Sequence, residues 1–315
     1  IFADDTLFVD AETGSGEWRD DDLVIGLNLE EDARAYPVRL LSSHEIVNDV
    51  VAGRPVAITF CPLCNTAIVF DATVEGVALD FGTTGRLRFS NLLMYDRQTE
   101  SWWQQATGEA VIGPFIGRRL TFLPASIISW AEARESFPEA QVLSRETGFQ
   151  RNYGENPYAG YDNINNPPFL YRGPTTPDQL PAMARVTTVE LNGEAVAYPE
   201  ETLQKVVVAN DTVGGVDVVV LWQAGLASAL DSGALADGRD VGATGVFERA
   251  LDGVTLTFVS DGETIRDEET GSTWNVQGEA LDGELAGRQL EPVVKVDHFW
   301  FSWAAFRPDT RIYQP

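Results

Sequence analysis

Lysine, histidine, cysteine and methionine are all scarce in this chain of 315 residues. It contains two histidines, two cysteines and two methionines, so a site built from imidazole or sulfur ligands has few positions to draw on. Of its 22 basic residues, only Lys205 and Lys295 are lysines. No apolar run reaches the roughly 18 residues that a membrane-spanning helix needs, which excludes such a helix.

Acidic residues greatly outnumber basic ones. The 48 acidic and 22 basic residues give a net charge of −26, and the acids are spread along the whole chain. The negative side chains repel one another in dilute salt, and this repulsion is screened at high ionic strength. Together with the near-absence of lysine, it favours an origin in a salt-loving microbe. A strongly negative surface also argues against nucleic acids and anionic membranes as partners.

The chain repeats itself. Residues 28–67 align without a gap on residues 190–229, and shorter matches follow in the same order. The matching pairs are Leu29 with Leu191, Ala35-Tyr36-Pro37 with Ala197-Tyr198-Pro199, Asn48-Asp49 with Asn210-Asp211, Gly53 with Gly215, Gly82–Gly85 with Gly242–Gly245, Asp96–Trp103 with Asp267–Trp274, Gly117–Leu120 with Gly287–Leu290, and Ser129-Trp130-Ala131 with Ser302-Trp303-Ala304. Chance does not explain a conserved order of this length.

The repeat divides the chain into four parts: an N-terminal segment 1–27, a first unit 28–148, a connecting segment 149–189 and a second unit 190–315. The connecting segment is rich in Asn, Pro, Gly and Tyr, a composition typical of turns and irregular backbone. Because it also carries aromatic side chains, we interpret it as an ordered cover over another part of the molecule.

Local patterns are mainly those of β-strands. Short β-branched or aromatic runs such as 56–60, 66–70 and 216–222 alternate with Gly and Asp. Helical patterns are limited to residues 40–50 and 130–136 in the first unit. The sequence therefore predicts a mainly β (α+β) fold of two tandem β-rich units with a few short helices, packed with pseudo-twofold symmetry.

The first unit alone carries a chemically distinctive set, formed by His44, Cys61 and Cys64. In the ungapped alignment His44 falls on Val206, Cys61 on Gln223 and Cys64 on Leu226. If both units build the same backbone here, folding does not require an imidazole or a thiol at these positions. The comparison therefore favours a chemical role.

Three interpretations of the Cys-Pro-Leu-Cys pair remain open. With His44, the two sulfurs form a soft ligand set suited to a metal ion, copper in preference to zinc. Alternatively, the pair exchanges electrons by thiol–disulfide chemistry. A structural disulfide is the third option, but closing so short a loop would give little entropic stabilisation. Met94 is a weaker candidate copper ligand, although core packing explains it better.

Other polar residues fit structural roles more easily. His298 lies among aromatic residues, where a buried histidine is more often satisfied by packing than bound to a metal. Glu45 follows His44 and is a candidate to orient its imidazole. The polar-aromatic turn at 96–103 recurs at 267–274 and is assigned to structure. Gln104 is an exception, since Asn275 replaces it.

The chain resembles the uncharacterised family catalogued as domain of unknown function 3179. The resemblance runs from about residue 24 to the end and rests on ARAYP, HEIVND, TFCPLCNTAIVFD, SNLLMYDRQTESWWQQATGEAVIG, NPYAGYD and FWFSWAAFRPDT. The His-Glu and Cys-Pro-Leu-Cys positions of the family fall on His44, Glu45, Cys61 and Cys64. Asn65 stands where many members have glycine. The resemblance implies an exported or lipid-anchored protein, and hence an extracellular or cell-surface location.

These observations lead to three functional hypotheses. The first is an exported metal-binding protein that uses His44, Cys61 and Cys64. The second is a thiol–disulfide redox module, and the third is a non-enzymatic surface or assembly protein, in keeping with a homo-oligomer. The sequence specifies neither a small-molecule substrate nor a catalytic residue, so it leaves open whether the protein is an enzyme.

Overall fold

The computed structural model describes residues 1–4, 7–30, 32–153, 155–234 and 237–315. Gly154 of the connecting segment lies outside the described residues. The predicted mainly β fold is confirmed, with short strands grouped in several sheets. Among the described residues, no helix has both the length and the apolar character needed to cross a membrane.

The N-terminal segment and the first unit contain most of the strands. Their strands are β1 Phe8–Val9, β2 Leu23–Leu29, β3 Asp32–Pro37, β4 Ile46–Val51, β5 Arg54–Cys61, β6 Thr66–Asp71, β7 Thr73–Val74, β8 Val77–Ala78, β9 Phe81–Arg88, β10 Asn91–Asp96, β11 Trp102–Gln104, β12 Glu109–Ile112, β13 Thr121–Leu123, β14 Ser126–Ser129 and β15 Gln141–Leu143. Their helices are α1 Ala11–Glu17, α2 Val38–His44 and α3 Trp130–Ser136.

The second unit, with the end of the connecting segment, repeats this order in a shorter form. Its strands are β16 Arg185–Leu191, β17 Glu194–Pro199, β18 Val208–Val213, β19 Val216–Gln223, β20 Ala243–Glu248, β21 Ala250–Leu251, β22 Val254–Thr255, β23 Phe258–Ser260, β24 Ile265–Asp267, β25 Thr273–Trp274, β26 Ala280–Asp282, β27 Lys295–Phe299 and β28 Arg311–Ile312. Its helices are α4 Glu200–Val206 and α5 Trp300–Ala304.

Each unit is built around three main sheets. In the first unit their orders are β1-β15-β3-β2-β14, β13-β6-β5-β4 and β12-β11-β10-β9. The second unit has β27-β16-β17-β28, β18-β19-β20 and β23-β24-β25-β26. Buried aliphatic and aromatic side chains fill the space between the sheets, and the largest cluster draws residues from both units.

Equivalent side chains make equivalent hydrogen bonds in the two units. Tyr36 Oη donates to Asp49 at 2.6 Å, and Tyr198 Oη donates to Asp211 at 2.8 Å. Helices α2 and α4 both end in a residue with positive φ, Glu45 at 60° and Val207 at 63°. A β-branched residue rarely adopts this conformation, so its presence at the equivalent position indicates that tertiary packing fixes this corner of the chain.

The two units also contact each other at equivalent elements. Strand β27 of the second unit packs on β6 of the first, and β14 of the first packs on β20 of the second. Between them lies a cavity of about 50 Å³, lined by three equivalent pairs: Leu23 with Arg185, Val38 with Glu200 and Ile127 with Asp297. This lining is what packing about a twofold axis would produce, although the symmetry itself stays a prediction.

Three sequence-based expectations are wrong in detail. Helix α2 ends at His44, and Ile46–Val51 is a strand paired with β5 rather than the second half of a helix. Asn48 binds the Phe81 carbonyl as Asn210 binds that of Phe258. Gly82 therefore corresponds to Val259, and not to Gly242 as the alignment suggested.

The third error concerns the helices α3 and α5. The backbone N–H groups of Trp130 and Trp300 donate to Asp22 and Ala184, which are equivalent positions. Trp130 thus corresponds to Trp300 rather than to Trp303. The Ser-Trp-Ala match in the sequence was displaced by three residues, which is close to one helical turn.

Two differences in length separate the units where the thiols lie. The connection between β5 and β6 is the short turn 62–65, whereas residues 224–242 connect β19 and β20. The hairpin of β9 and β10 spans residues 81–96, 16 residues, while its counterpart spans 258–267, 10 residues, and is therefore six residues shorter. Both differences change what surrounds the end of β5.

The recurring polar-aromatic turn is a buried network in both units, as assigned. Asp96 accepts hydrogen bonds from the Thr99 backbone at 2.6 Å and from Trp103 Nε1 at 2.8 Å. Asp267 accepts the same bonds from Thr270 and Trp274 at 2.6 and 2.9 Å.

We expect Asp96→Ala and Asp267→Ala to be about equally destabilising. Each change leaves a buried indole N–H without its acceptor, which should cost about 2–4 kcal/mol of unfolding free energy. Urea denaturation measures the loss, with Glu268→Ala as an exposed control. A variant of either aspartate that unfolds like the wild type would show that the turn is not structural.

Candidate functional site

Cys61 and Cys64 lie on either side of a tight turn between β5 and β6. Cys61 is the last residue of β5 and pairs with Thr66 across the strands. Pro62–Cys64 form one 3-10 turn, and Asn65 ends it with φ 52°. Proline fixes φ at the first turn position, and asparagine tolerates the left-handed conformation better than most residues. Asn65 therefore fits this position where glycine is otherwise expected.

The two thiols are free and buried next to each other. Cys61 is 2% exposed and Cys64 is 0% exposed, and neither forms a disulfide. Both sulfurs point at the same backbone carbonyl, that of Ser90, with Sγ–O distances of 3.8 and 3.4 Å. This part of the interior therefore holds two polarisable groups close enough to affect each other's ionisation.

The pKa values of the two thiols move in opposite directions. Burial, together with the adjacent Cys64, raises the pKa of Cys61 well above its ordinary value. Burial also opposes ionisation of Cys64, but the neighbouring polar groups of Cys61, Ser302 and Asn91 outweigh it and lower the pKa of Cys64. Of the two thiols, Cys64 is therefore the one that ionises more readily, with Cys61 beside it as the less acidic partner.

A buried amide network lies beside the thiols. Asn91 Nδ2 donates to Gln105 Oε1 at 2.7 Å, and Gln104 donates to Asn91 Oδ1. Gln105 Nε2 continues the network to Thr59 Oγ1 and to the Thr66 carbonyl, each at 3.1 Å. All five side chains are fully buried, so their positions are fixed by these hydrogen bonds.

The second unit contributes two further polar side chains, His298 and Ser302. His298 Nδ1 shares a hydrogen bond of 2.9 Å with Thr66 Oγ1, and the imidazole packs on Trp303 at 5.2 Å between ring centroids. Burial lowers the pKa of His298 to about 3, so the ring is neutral. Among the described residues, His298 Nε2 and Ser302 Oγ have no hydrogen-bond partner of ordinary geometry.

The connecting segment covers the turn that carries the cysteines, as interpreted from its composition. Tyr161 Oη donates to the Leu63 carbonyl at 2.9 Å, and Ser90 Oγ donates to the Phe169 carbonyl at 2.7 Å. The Tyr161 ring also packs edge-on against Phe299 at 5.9 Å. These contacts close the site from solvent.

His44 makes its contacts elsewhere. Its Nε2 lies 2.7 Å from Tyr153 Oη, and its ring packs on Phe149 at 5.2 Å. Burial, followed by the positive charges of the N-terminus and Arg151, lowers the pKa of His44 to about 4. In the part of the chain that the structure describes, no three His, Cys, Asp or Glu side chains are grouped so that they could hold a metal ion.

Glu45 and Met94 lie closer to the cysteines. Burial raises the pKa of Glu45, and its charge in turn raises the pKa of Cys61 and of Tyr158. Glu45 thus adds a smaller electrostatic effect on Cys61 to the larger ones of burial and of Cys64. Met94 is fully buried in the same apolar cluster as both cysteines, which agrees with its interpretation as a core residue.

The second unit provides a comparison within the chain, and it is more informative than the alignment. Strand pairing and the helix starts give each polar residue its counterpart. The pairs are Thr59 with Leu221, Cys61 with Gln223, Thr66 with Ala243, Gln105 with Val276, His298 with Ile128 and Ser302 with Glu132. Cys64 has no counterpart at Leu226, because residues 224–242 replace the short turn.

Several of these residues escaped the sequence analysis. Ser90 and Asn91 lie in the six-residue extension of the β9–β10 hairpin, which an alignment of the repeats cannot place. The one available signal was the pair Gln104-Gln105, which the second unit replaces with Asn275-Val276. Ser302 was hidden by the displaced match of its helix.

The match to known proteins covers nearly the whole chain. The family model described as "Protein of unknown function (DUF3179)" matches residues 3–310. The chain belongs to this family. No curated protein and no solved structure matches it. Its function must therefore be argued from the chemistry of the thiol site.

We expect His298 to make stability depend on pH. Its pKa rises from about 3 in the folded protein to roughly 6.5 on unfolding, so the unfolded chain binds more protons between these values. Stability is therefore fully present above about pH 6.5 and falls below it, by up to about 1.4 kcal/mol per pH unit.

Urea denaturation of the wild type and of His298→Gln between pH 8 and pH 4 checks this expectation. The variant should show the shallower decline below pH 6.5. His44→Gln is the comparison: because the pKa of His44 is lowered less, to about 4, and its partly exposed ring is screened by solvent, it should flatten the decline less than His298→Gln does. Parallel profiles for wild type and His298→Gln would contradict the assignment of a buried neutral imidazole.

Proposed function

We propose that Cys61 and Cys64 form a redox-active dithiol, which cycles between two thiols and a disulfide. The observation that carries the proposal is the pair itself: two adjacent free thiols whose pKa values are moved apart by their surroundings. A thiol that ionises more readily than its neighbour is the arrangement that favours thiol–disulfide exchange.

The polar surroundings support a chemical role for this pair. Burying hydroxyl and amide groups is costly unless they are paired. The second unit folds around Leu221, Ala243 and Val276 where the first has Thr59, Thr66 and Gln105. The same backbone therefore forms with apolar side chains at these positions. The polar side chains of the first unit are accordingly assigned to the chemistry of the thiols rather than to the stability of the fold.

The proposed reaction is an exchange with a disulfide substrate. The Cys64 thiolate attacks one sulfur of the substrate, forms a mixed disulfide and releases the other substrate sulfur as a thiolate. Cys61 then loses its proton and attacks Cys64, which frees the second substrate thiol. Starting from the Cys64 thiolate, the pair gives up two electrons and the proton of Cys61, and the substrate disulfide becomes one thiolate and one thiol.

Access to the thiols requires movement of the connecting segment. Both sulfurs are buried, and the hydrogen bonds of Tyr161 and Ser90 hold the cover over them. Exchange with a bulky disulfide is therefore expected only after these contacts open. A closed resting state would also protect the thiolate from unselective oxidation.

The reduction potential tests the proposal. Equilibration with defined glutathione ratios, followed by alkylation and mass spectrometry, should give a potential between about −120 and −270 mV. Cys61→Ser and Cys64→Ser should each abolish the two-electron couple. Tyr161→Phe should raise the rate of alkylation by severalfold without changing the potential.

A potential below about −300 mV, typical of inert structural disulfides, would contradict a redox role. So would thiols that stay reduced at every glutathione ratio. The Phe variant separates the two parts of the idea, since it changes access to the thiols and leaves their chemistry intact.

A soft metal ion, copper in preference to zinc, is a second candidate occupant. Two thiols and a neutral imidazole are donors that copper(I) favours, and within the described part of the chain the buried Nε2 of His298 has no hydrogen-bond partner. Cys61, Cys64 and His298 would hold the ion, which requires the imidazole to move toward the sulfurs. The ion would supply one-electron chemistry to the site.

Copper(I) titration against a chromogenic chelator tests this second candidate. We expect at least a tenfold loss of affinity in Cys61→Ser and Cys64→Ser, because each removes a thiolate ligand. His298→Ala should weaken binding if its Nε2 is the third ligand, and His44→Ala should do so if the set expected from the sequence is correct. Equal affinity in all four variants would exclude a metal centre at this site.

We also propose an extracellular or cell-surface location in a salt-loving microbe. The supporting observation is compositional, a net charge of −26 with two lysines. Such a surface stays soluble when ionic strength is high enough to screen its repulsion. A buried, covered dithiol is compatible with this setting, because the cover limits its contact with oxidants.

A further inference from the structure

The second unit has an open cleft at the position that corresponds to the thiol site. Its volume is about 670 Å³. Four of its lining residues are counterparts of residues in or beside the thiol site: Gln223 corresponds to Cys61, Asn275 to Gln104, Glu132 to Ser302 and Ser136 to Phe306. The same framework therefore encloses a buried site in one unit and an open one in the other.

The reason for the difference is the length of one hairpin. In the first unit, the extended β9–β10 hairpin fills this position with its own residues. Phe89 packs on Phe306 at 5.4 Å, and the Ser90 carbonyl lies at the sulfur of Cys61. In the second unit the shorter hairpin ends at the rim of the cleft, at residues 262–264. The cleft is the space that a longer hairpin would occupy.

The cleft is acidic and partly apolar. Its lining includes four carboxylates, those of Glu132, Glu135, Glu263 and Glu279. Trp222 and Leu281 also line it, and Leu281 is 60% exposed. A matching occupant would present positive charge next to apolar side chains.

The exposed end of strand β9, next to the hairpin turn, and the adjoining cover present such a surface. We call this surface the basic tip and define it as Arg86, Leu87, Arg88, Phe169 and Leu170. Phe169 is 57% and Leu170 55% exposed, and Leu87 is also exposed. The cover is fixed to the hairpin by the hydrogen bond between Ser90 and Phe169.

The charge of the basic tip is available for a partner. In the part of the chain that the structure describes, neither Arg86 nor Arg88 forms an ion pair. Arg88 stacks on the rings of Phe89 and Phe306. On a chain with a net charge of −26, these two arginines, which form no ion pair among the described residues, lie beside exposed apolar side chains.

We propose that the basic tip of one copy of this chain docks in the acidic cleft of the second unit of another copy. The basic tip would then fill the cleft in the second unit of the neighbouring copy, as the β9–β10 hairpin fills the equivalent position in the first unit of its own chain. Because the two surfaces differ, the contact is heterologous and generates a ring or an open chain of copies. This inference does not depend on the redox chemistry.

The interface is small, so the association is weak. A single hairpin tip buries less surface than the roughly 1,600 Å² of a standard interface, and the copies repel each other through their net charge. Complementary charges at the contact offset this repulsion and fix the orientation. Association is therefore expected at protein concentrations of about 0.1–1 mM.

Charge reversal on each surface tests the proposal. We would compare the wild type with Arg86→Glu/Arg88→Glu and with Glu135→Arg/Glu263→Arg by sedimentation velocity over this concentration range, at one ionic strength. All four residues are exposed, so the variants should fold, which circular dichroism checks. The expected result is concentration-dependent growth for the wild type and monomers of 34.5 kDa for each variant alone.

Mixing the two variants provides the decisive measurement. An acidic tip then meets a basic cleft, and the unchanged basic tip of the second variant meets the unchanged acidic cleft of the first. Association should return in the mixture. Arg54→Glu is the control. Arg54 is the first residue of β5 and Cys61 the last, so this variant changes a charge away from the basic tip and should associate like the wild type.

A wild type that stays monomeric throughout the range would overturn the proposal. The same holds for charge-reversed variants that associate normally, for a mixture that does not associate, and for loss of association in the Arg54 control. Redox inactivity of the Cys61→Ser variant would leave these results unchanged, so the two proposals fail independently.

Discussion

The hydrogen bond between Thr66 and His298 joins the two units at the place where the cysteines lie. It satisfies one polar atom on each side of a dry interface, where an unpaired group would be costly. From this contact the polar set extends through Gln105 and Asn91 to Cys64. The rest of the thiol site depends on it, because the position of β27 against β6 fixes Ser302 and Trp303 as well.

This arrangement explains why the pKa values of the two thiols are shifted in opposite directions. Three polar neighbours lower the pKa of Cys64, whereas burial, the adjacent Cys64 and, last, the charge of Glu45 raise the pKa of Cys61. Glu45 is held at the end of α2 by the bond from the Phe60 backbone to its carbonyl, and Val207 of the second unit is held in the same way by Trp222. The neighbours of Cys64, by contrast, include Asn91 of the extended hairpin, which the second unit lacks.

The sequence could predict those parts of the molecule that local patterns determine. The strands β5 and β6, the helix α3 and the paired turns at Asp96 and Asp267 follow from residue type and from the repeat. Residue patterns also located the cysteines and the cover. The sequence could not predict the neighbours of Cys64. Ser90 and Asn91 lie in a hairpin extension that the second unit lacks, and Ser302 lies in a helix whose sequence match was displaced by three residues.

The prediction that His44 joins the cysteines shows the same limit. Adjacent residues at the end of a helix point in different directions, so Glu45 acts on Cys61 while His44 is bound to Tyr153. A local sequence pattern can locate the backbone of a residue, whereas the direction of its side chain depends on tertiary contacts. The pairing of His298 with the thiol site required the relation between the two units, which no local pattern contains.

The shared construction of the thiol site bears on how such a chain could have arisen. A duplicated ancestor with two identical halves would have presented two equal chambers, each completed by the helix of its neighbour. Here one chamber contains sulfur, amides and a longer hairpin, whereas the other is open and is followed by a long loop. Because Ser302 of one half contributes to the chamber of the opposite half, a change in either half would affect both.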